Sequence, residues 1–339
     1  MSHFLLRSVS MVVLLAASRL SWAQDLPPLR TDAFESCLRE ALLSAPGETA
    51  VANLRAICAE AKSAPEGVES QGPSPLERRV QVERATQWMP FVLTPYRPNY
   101  VMPFTYHDSP NQASTGGDAF TDRAEIKFQL SVRFPVWQQV LGSRASLNVA
   151  YTAQSFWQAY DAARSRPFRE TNHEPELFLS IPVDWNVLGS RLSAMTLGLV
   201  HQSNGRDLPD SRSWNRVAAS FIWEVQGRTL IVRPWVRIPD PEKTSPDDPR
   251  GDENPNIERF VGQFEVIFAR KLGSKTYSAV WRNNARSDNR GSLELNWSFP
   301  LSGRARGYVQ YFAGYGESLI DYDQHHNRLG FGVAITDWL

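Results

Sequence analysis

The feature that most constrains the fold of this 339-residue chain is a recurring alternation of apolar and polar residues. The clearest case is Glu125–Phe134, in which every second residue is apolar, and 290–299 contains a second unbroken case. Similar alternation recurs at 147–151, 177–183, 230–238, 260–268, 307–315 and 328–335. Side chains two apart in a strand point to the same face, so these segments predict strands with one apolar face. Such strands belong either to a soluble sandwich or to a transmembrane barrel.

The connections between these segments favour the barrel. We predict twelve strands, whose links tend to alternate between shorter and longer. The shorter links are 135–144, 184–191, 226–227, 272–275 and 300–304, and the longer ones include 159–173, 239–256, 283–290 and 316–327. The separation is incomplete, because 283–290 is no longer than 184–191. Short turns at one end, long loops at the other and an even strand number are typical of outer-membrane barrels. The sequence therefore predicts an all-β fold, a 12-stranded antiparallel transmembrane β-barrel over residues 95–339.

The two faces of the predicted strands differ as a barrel requires. One face carries Leu, Val, Ile, Phe and Trp, which suits contact with lipid. The other face carries both acids and bases: Glu125, Lys127, Gln129, Arg133, Arg233, Arg237, Gln263, Glu265, Glu294, Arg304, Arg306 and Gln310. In a barrel of this size, mixed charges pair with one another inside and leave no wide pore.

The chain begins with an export signal. Residues 1–23 contain Arg7, the apolar run 11–17 and a small-residue cleavage site at 21–23, which is the pattern of a signal peptide. No later apolar run reaches the ~20 residues of a transmembrane helix. The formal net charge is zero and basic residues are not clustered, which argues against a nucleic-acid partner.

A short helical hairpin is predicted between the signal peptide and the barrel. Residues 24–62 have two stretches of helical periodicity, and each contains one cysteine, Cys37 and Cys58. In the oxidising periplasm we expect a disulfide between them, with two buried free thiols as the alternative. Residues 63–94 form a linker and lead-in, rich in Pro, Gly, Ser and Glu at their start.

One predicted hairpin carries candidate catalytic side chains on its apolar face. His201 and Ser203 share that face of the incoming strand, and Asn215 shares it on the returning strand. If Ser203 pairs with Ser213, His201 lies opposite Asn215, at a cross-strand distance of about 5 Å. A lone outward histidine at a barrel rim is usually an interfacial polar residue. The combination with Ser203 and Asn215 instead predicts a nucleophile, its base and an amide that orients the base.

The predicted topology places this hairpin in the membrane. With both chain termini in the periplasm, its turn lies on the extracellular side and its apolar face meets the outer leaflet. A soluble substrate does not easily reach such a position, whereas a phospholipid ester reaches it by lateral diffusion. The sequence therefore predicts a phospholipid substrate.

The residues of this hairpin carry a resemblance to a known family. His201–Arg206 (HQSNGR) and Ser211–Arg216 (SRSWNR) resemble the outer-membrane phospholipase A family, as do 167–175 and 314–322. The resemblance covers residues from about 95 to the C-terminus and implies Ser203 as nucleophile, His201 as base and Asn215 as its orienting partner. It further implies an oxyanion site at the amide of Gly205.

The resemblance also implies a metal and a second subunit. Calcium would be held by Ser211, the carbonyl of Arg206 and Ser165 of the other subunit of a homodimer, which would be the active form. One departure concerns this site, because Leu208 stands where the family often has an acid. Asp207 and Asp210 flank it, and compensation by either acid is one alternative; by default both are interpreted as ordinary loop acids.

The resemblance implies calcium-dependent hydrolysis of the sn-1 and sn-2 acyl esters of glycerophospholipids and of lysophospholipids. This activity would help to maintain outer-membrane lipid asymmetry. The alternatives from other classes are a catalytically silent structural or channel-type barrel and an outer-membrane protease. Intact Ser203, His201, Asn215 and Gly205 argue against the first. For the second, no cluster of acids and histidines around a water-accessible cleft stands out. His325 and His326 are expected to be solvated loop residues, and Glu317 and Asp321 to pack over the barrel mouth.

Overall fold

Twelve long strands dominate the structure. The computed structural model describes residues 94–109, 122–163, 165–187, 189–225, 228–245, 248, 251–302 and 305–338. Its strands are β1 (Thr94–Pro95), β2 (Asn99–His107), β3 (Ala124–Gln138), β4 (Ser146–Trp157), β5 (Phe168–Val187), β6 (Ser190–Ser203), β7 (Ser213–Val225), β8 (Arg228–Ile238), β9 (Phe264–Leu272), β10 (Lys275–Asn283), β11 (Gly291–Ser302), β12 (Ala305–Gly314) and β13 (His326–Thr336). Its helices are a 3₁₀ turn at Val140–Gly142 and the α-helix α1 (Ile257–Val261).

These strands close into an antiparallel barrel. Each of β2 to β13 pairs with its neighbours in the chain, and β13 pairs with β2 to complete the circle. The two-residue strand β1 also pairs with β3, where Thr94 lies opposite Arg133. Closure leaves no free sheet edge, which is the condition for a β-structure to span a bilayer. The predicted 12-stranded antiparallel barrel is therefore confirmed. Among the described residues, no helix is both long enough and apolar enough to cross a membrane.

Shorter and longer links tend to alternate around the barrel, although 139–145 and 284–290 are both seven residues long. The short-turn end has links 139–145, 188–189, 226–227, 273–274 and 303–304, and the long-loop end has links 108–123, 158–167, 204–212, 239–263, 284–290 and 315–325. The predicted overlap between links 184–191 and 283–290 is removed because β5 continues to Val187 and β6 begins at Ser190. Most of the predicted link 184–191 is therefore strand.

The outer wall of the barrel is apolar along its whole circumference. Exposed large apolar side chains occur on every long strand, and examples are Phe104, Leu130, Val149, Leu177, Leu197, Leu199, Val217, Val236, Phe268, Trp281, Leu295, Tyr311 and Phe331. In water such a surface would be an aggregation hazard, whereas in a bilayer it faces hydrocarbon. The predicted lipid-facing parity is confirmed.

The inner wall is charged, and its charges pair. Glu125 is fully buried and its carboxylate lies 3.1 Å from the guanidinium groups of both Arg169 and Arg328. Lys127 is also fully buried, with its Nζ 2.8 Å from Glu317 Oε1. Burial of unpaired charges would be strongly unfavourable, so reciprocal pairing is what allows this polar face to be interior. Elsewhere the lumen contains a cavity of about 930 Å³.

An apolar cluster fills the lumen behind β6, β7 and β8. Ile257 and Val261 of α1 and Leu319 of link 315–325 enter the barrel at its long-loop end. There they join a buried cluster that includes Trp214 and Trp235 on the inner wall. The wall that carries the predicted hairpin is thereby packed from inside.

Two segments differ from their predicted secondary structure. Residues 260–263 alternate as a strand would, but α1 extends to Val261 and β9 begins only at Phe264. The apolar side chain of Val261 is buried by the lumen cluster and not by strand pairing. Conversely, the predicted loop 159–173 contains the first residues of β5, because 168–173 pair with β4 over 153–157.

The solvated position predicted for His326 is wrong. This side chain is buried at the start of β13, and its Nε2 lies 2.7 Å from Glu317 Oε2. Glu317 and Asp321 are buried at the barrel mouth, as expected, and both are ion-paired. The predicted signal peptide, the cysteine pair and all of the linker except Thr94 lie outside the described residues.

Candidate active site

Strands β6 and β7 bring the predicted catalytic side chains together. Their register pairs Ser203 with Ser213 and His201 with Asn215, which is the register considered from the sequence. The side chains of His201, Ser203 and Asn215 are half-buried and share the face of the exposed Leu199. Alternation fixes this placement, because residues at even spacing in a strand lie on one face. The cluster therefore lies on the outer wall, next to lipid.

His201 and Asn215 form a direct hydrogen bond. The distance between His201 Nδ1 and Asn215 Oδ1 is 2.9 Å. An amide oxygen only accepts hydrogen bonds, so this contact requires a proton on Nδ1. In the neutral ring Nε2 then carries the free lone pair. The geometry thus prepares Nε2 of His201 to accept a proton.

Gly205 begins the link between the two strands with a left-handed backbone. Its φ is +63°, a conformation that a residue with a Cβ adopts only at a cost of roughly 1–2 kcal/mol. The residue is exposed and lies two positions after Ser203. Glycine at this position lets the chain turn sharply just after the serine. The backbone N–H of Gly205 is two residues from Ser203 in the sequence.

The side chain of Asn204 organises the rest of this link. It is buried, its Nδ2 donates to the carbonyl of Asp210 at 2.8 Å, and its Oδ1 accepts from the amide of Arg212 at 2.9 Å. The backbone N–H of Asn204 also donates to the backbone carbonyl of Arg212 at 3.0 Å. These bonds tie both ends of 204–212 together. Asn204 is absent from the predicted site residues, although its inward-facing position between Ser203 and Gly205 is a signal in the sequence.

The residues predicted to bind calcium occupy two links at the long-loop end. Ser211 Oγ donates to Glu253 Oε2 at 2.6 Å. A carboxylate from link 239–263 therefore contacts the serine that is predicted to bind calcium. The guanidinium of Arg206 contacts Glu170 at 3.3 Å and Asp210 at 3.3 Å. Glu253 is absent from the predicted site residues, because nothing in its local sequence pattern indicates which loop it contacts.

The other residues considered for this site are more exposed. Ser165 lies in link 158–167, exposed and with a left-handed backbone of φ +58°. Asp207 is also exposed, and Leu208 precedes Pro209 through a cis peptide bond. Among the described residues no three His, Cys, Asp or Glu side chains form a group able to hold a metal. A cation at this end of the barrel would therefore need hydroxyl, carbonyl or water oxygens as well.

The inner side of the same hairpin is held by a polar network. Trp214 Nε1 donates to Gln202 Oε1 at 2.8 Å, and Arg216 Nη2 lies 2.9 Å from Glu174 Oε2. The Arg216 guanidinium also stacks 4.0 Å from the Trp214 ring centroid. These contacts involve the residues that alternate with Ser203 and Asn215. They fix the two strands from behind.

A second histidine lies on the other side of Ser203. His173 of β5 is the direct cross-strand neighbour of Ser203 and shares its outward parity. Its Nδ1 lies 2.6 Å from the hydroxyl of Tyr151 on β4. His173 is absent from the predicted site residues, because the sequence pattern predicts a loop over 159–173.

The fold and this cluster define a class, a membrane β-barrel with the residues of a serine hydrolase on its outer wall. The family model described as Phospholipase A1 matches residues 76–335. Phospholipase A1 of Proteus vulgaris is 39% identical over 251 residues, which cover 73% of this chain and 83% of that protein. The chain therefore belongs to the phospholipase A1 family and is an outer-membrane enzyme.

Two solved structures agree with this assignment. Outer membrane phospholipase A from Escherichia coli superposes with a TM-score of 0.67 at 36% identity, covering 74% of this chain and 94% of that one. The Salmonella typhi outer membrane phospholipase, solved as a dimer with bound calcium, gives the same TM-score, identity and coverage. Both likenesses rest on more than a shared barrel fold, because more than a third of the aligned residues are identical.

Proposed function

We propose that this protein hydrolyses acyl ester bonds of glycerophospholipids, with Ser203 as nucleophile, His201 as general base and acid, and Asn215 as the group that orients His201. The observation that carries the proposal is the 2.9 Å bond between His201 Nδ1 and Asn215 Oδ1, two residues from Ser203 on the lipid-facing wall. Products would be a fatty acid and a lysophospholipid.

The chemistry follows from the tautomer of His201. Nε2 takes the hydroxyl proton of Ser203 as Oγ attacks the ester carbonyl carbon. When the tetrahedral intermediate collapses, the bond to the glycerol oxygen breaks and that oxygen takes the proton from Nε2. A water molecule, deprotonated by the same nitrogen, then attacks the acyl carbon. The bond from that carbon to Ser203 Oγ breaks, Oγ takes the proton back from Nε2, and the fatty acid leaves. Asn215 keeps Nδ1 protonated throughout, and its neutral amide places no second charge beside lipid.

The amide of Gly205 is proposed as a donor to the oxyanion. A fixed N–H next to the nucleophile stabilises charge that appears only in the transition state. The left-handed backbone at Gly205 places the turn immediately after Ser203. This supports a stabilising role for the residue.

Calcium is proposed as the cofactor. Ser211 Oγ, the carbonyl of Arg206 and Ser165 of a second copy would hold the ion, and oxygen atoms of these kinds are the ligands that calcium prefers. The carboxylate of Glu253, 2.6 Å from Ser211 Oγ, supplies negative charge that the family acid would give at Leu208. When bound, the ion would supply positive charge for the developing oxyanion.

Dimerisation is proposed as the switch for activity. Ser165 is exposed on link 158–167, where a second barrel in the same membrane can reach it. The Salmonella typhi relative is a dimer with bound calcium, which supports the same assembly here. In an intact outer leaflet phospholipid is scarce, so damage that brings phospholipid outward would supply substrate and favour dimers. The enzyme would thereby help to maintain lipid asymmetry.

Both acyl positions are proposed as substrates. The resemblance to the outer-membrane phospholipase A family implies cleavage of both the sn-1 and the sn-2 ester. It also implies lysophospholipids as substrates.

The test is fatty-acid release from mixed micelles of phospholipid and detergent, with calcium or with chelator. Ser203→Ala is compared with Ser213→Ala, which removes the directly opposed hydroxyl on the same face. We expect release by the wild type and by Ser213→Ala with calcium, and none by Ser203→Ala. Release by folded Ser203→Ala would overturn the nucleophile, and release that survives chelation would overturn the calcium requirement. A folded wild type that releases nothing would overturn the function.

A further inference from the structure

His173 occupies the one position that flanks Ser203 from β5. The register of β5 and β6 places the two residues directly opposite each other, and both point to the outer wall. Cross-strand neighbours have Cβ atoms about 4.5–5.5 Å apart. Ser203 therefore has an imidazole beside it across the strand pair, in addition to His201 along its own strand.

Tyr151 fixes the ring of His173. The two rings are nearly parallel, with an interplanar angle of 25° and centroids 6.1 Å apart, and Tyr151 Oη lies 2.6 Å from His173 Nδ1. A phenol is a stronger acid than the N–H of a neutral imidazole, and a ring nitrogen is the better acceptor. On this ground we assign Tyr151 as the donor in this bond. The proton of the neutral His173 ring then resides on Nε2.

The Nε2 edge of this ring faces the turn after Ser203. A Cβ built on Gly205 would lie 3.9 Å from His173 Cδ2 and 4.0 Å from His173 Nε2. That point is in ordinary contact with the ring, so an acceptor oxygen bound above Gly205 would be within reach of an Nε2–H donor. This is the region in which the oxyanion of the proposed reaction would form.

We propose that His173 is a catalytic residue whose Nε2–H donates a hydrogen bond to the oxyanion of the tetrahedral intermediate. The proposal rests on the proposed function, with Ser203 as nucleophile. His173 keeps its proton throughout, so it acts as an electrostatic donor while His201 alone transfers protons. Tyr151 acts through His173 as a positioning residue, because its hydroxyl selects the tautomer that has a donor at Nε2.

The test compares kcat and KM of three variants with those of the wild type in calcium-containing mixed micelles. His173→Phe keeps an aromatic ring next to Tyr151 and removes the donor. His173→Gln restores an N–H donor. His325→Phe is the matched control, because His325 also contacts a tyrosine ring at the long-loop end but is exposed in link 315–325.

We expect His173→Phe to lower kcat by about 100-fold, the effect typical of losing one oxyanion donor, and to leave KM unchanged. His173→Gln should recover most of the loss, and His325→Phe should match the wild type. A wild-type kcat in folded His173→Phe would overturn the proposal. An equal loss in His173→Phe and His173→Gln would also overturn it, since that pattern indicates a structural role.

A further variant keeps the proposal testable if His173→Phe does not fold. Tyr151→Phe leaves His173 in place and removes only the hydroxyl that fixes its tautomer, so we expect a partial fall in kcat, and an unchanged kcat would contradict the proposal. Activity that does not depend on Ser203 would instead refute the proposed function. The two failures are therefore distinguishable in one series of assays.

Discussion

Replacing Asn215 with alanine tests how much the orientation of His201 contributes to catalysis. The variant removes the single acceptor observed for His201 Nδ1, at 2.9 Å, and leaves Ser203, Gly205 and the lumen packing unchanged. A neutral hydrogen bond in a half-buried site contributes about 1 kcal/mol net. Every 1.4 kcal/mol corresponds to a factor of ten, so we expect kcat to fall about 5-fold and at most about 10-fold.

This expected loss is small compared with the effect of a carboxylate in an Asp-containing triad, where replacing the acid by its amide costs about 10⁴-fold. In that triad the amide leaves the imidazole in the wrong tautomer, whereas Asn215→Ala removes one neutral hydrogen bond and imposes no wrong tautomer. Asn215→Asp adds the charge, and we expect its kcat to equal or exceed that of Asn215→Ala at neutral pH.

The assay is calcium-dependent fatty-acid release, with thermal unfolding followed in parallel. Asn327→Ala is the matched control, because Asn327 on β13 accepts an outward-facing bond from Tyr311 Oη at 3.0 Å, away from the site. A fall of more than about 1,000-fold in folded Asn215→Ala would refute the orientation argument, since one neutral bond does not account for ~4 kcal/mol. An unchanged kcat would also refute it, because the hydrogen bond would then contribute nothing to catalysis.

Two further predictions concern the long-loop end. Glu253→Gln removes the charge that contacts Ser211 at 2.6 Å, so the calcium concentration for half-maximal release should rise by roughly 10-fold while kcat at saturation stays unchanged; an unaltered calcium titration would contradict this. Burial opposes ionisation of the Glu317 carboxyl, but the charges of Arg328 and Lys127 outweigh it and hold its pKa well below the ordinary 4.5. The pKa is lowered on folding, so this ion-pair stability is fully present above pH 4.5 and is lost as pH falls towards the folded-state pKa. Thermal unfolding from pH 7 to pH 3 should show a smaller decline in Glu317→Gln than in the wild type, and equal declines would contradict the assignment.

Strand faces were predictable because a period of two has only two solutions. Once Leu197 and Leu199 are assigned to lipid, His201 and Ser203 follow, and the same reasoning gives Asn215. Strand ends were harder to predict. The polar residues that start β5 resemble a loop in the sequence, but they are strand because they pair with β4. The pattern of 260–263 resembles a strand, yet Val261 ends the helix α1 and is buried in the lumen cluster without strand pairing.

Contacts between distant segments were beyond local patterns. Glu253 meets Ser211 because two loops converge at one end of the barrel, and no periodicity indicates that convergence. The position of His173 beside Ser203 likewise depends on the pairing of β5 with β6. A segment that is assigned to a loop has no predicted strand partner, so this neighbour could not be predicted. Asn204 was accessible in principle, since a polar inward residue at a strand end often satisfies the backbone of the following turn.

Because the site lies on the outer wall, its geometry depends on the packing behind β6 and β7. Lipid cannot hold catalytic side chains in position, so the orientation of His201 depends on the rigidity of β6 and β7 alone. Behind them, Trp214 and Arg216 belong to networks that are buried and bonded, and Trp214 packs in the lumen cluster. Breaking a buried ion pair of this kind costs about 3–5 kcal/mol, several times the net value of the bond between His201 and Asn215. The interior of this barrel therefore serves as the scaffold of an active site that faces outwards.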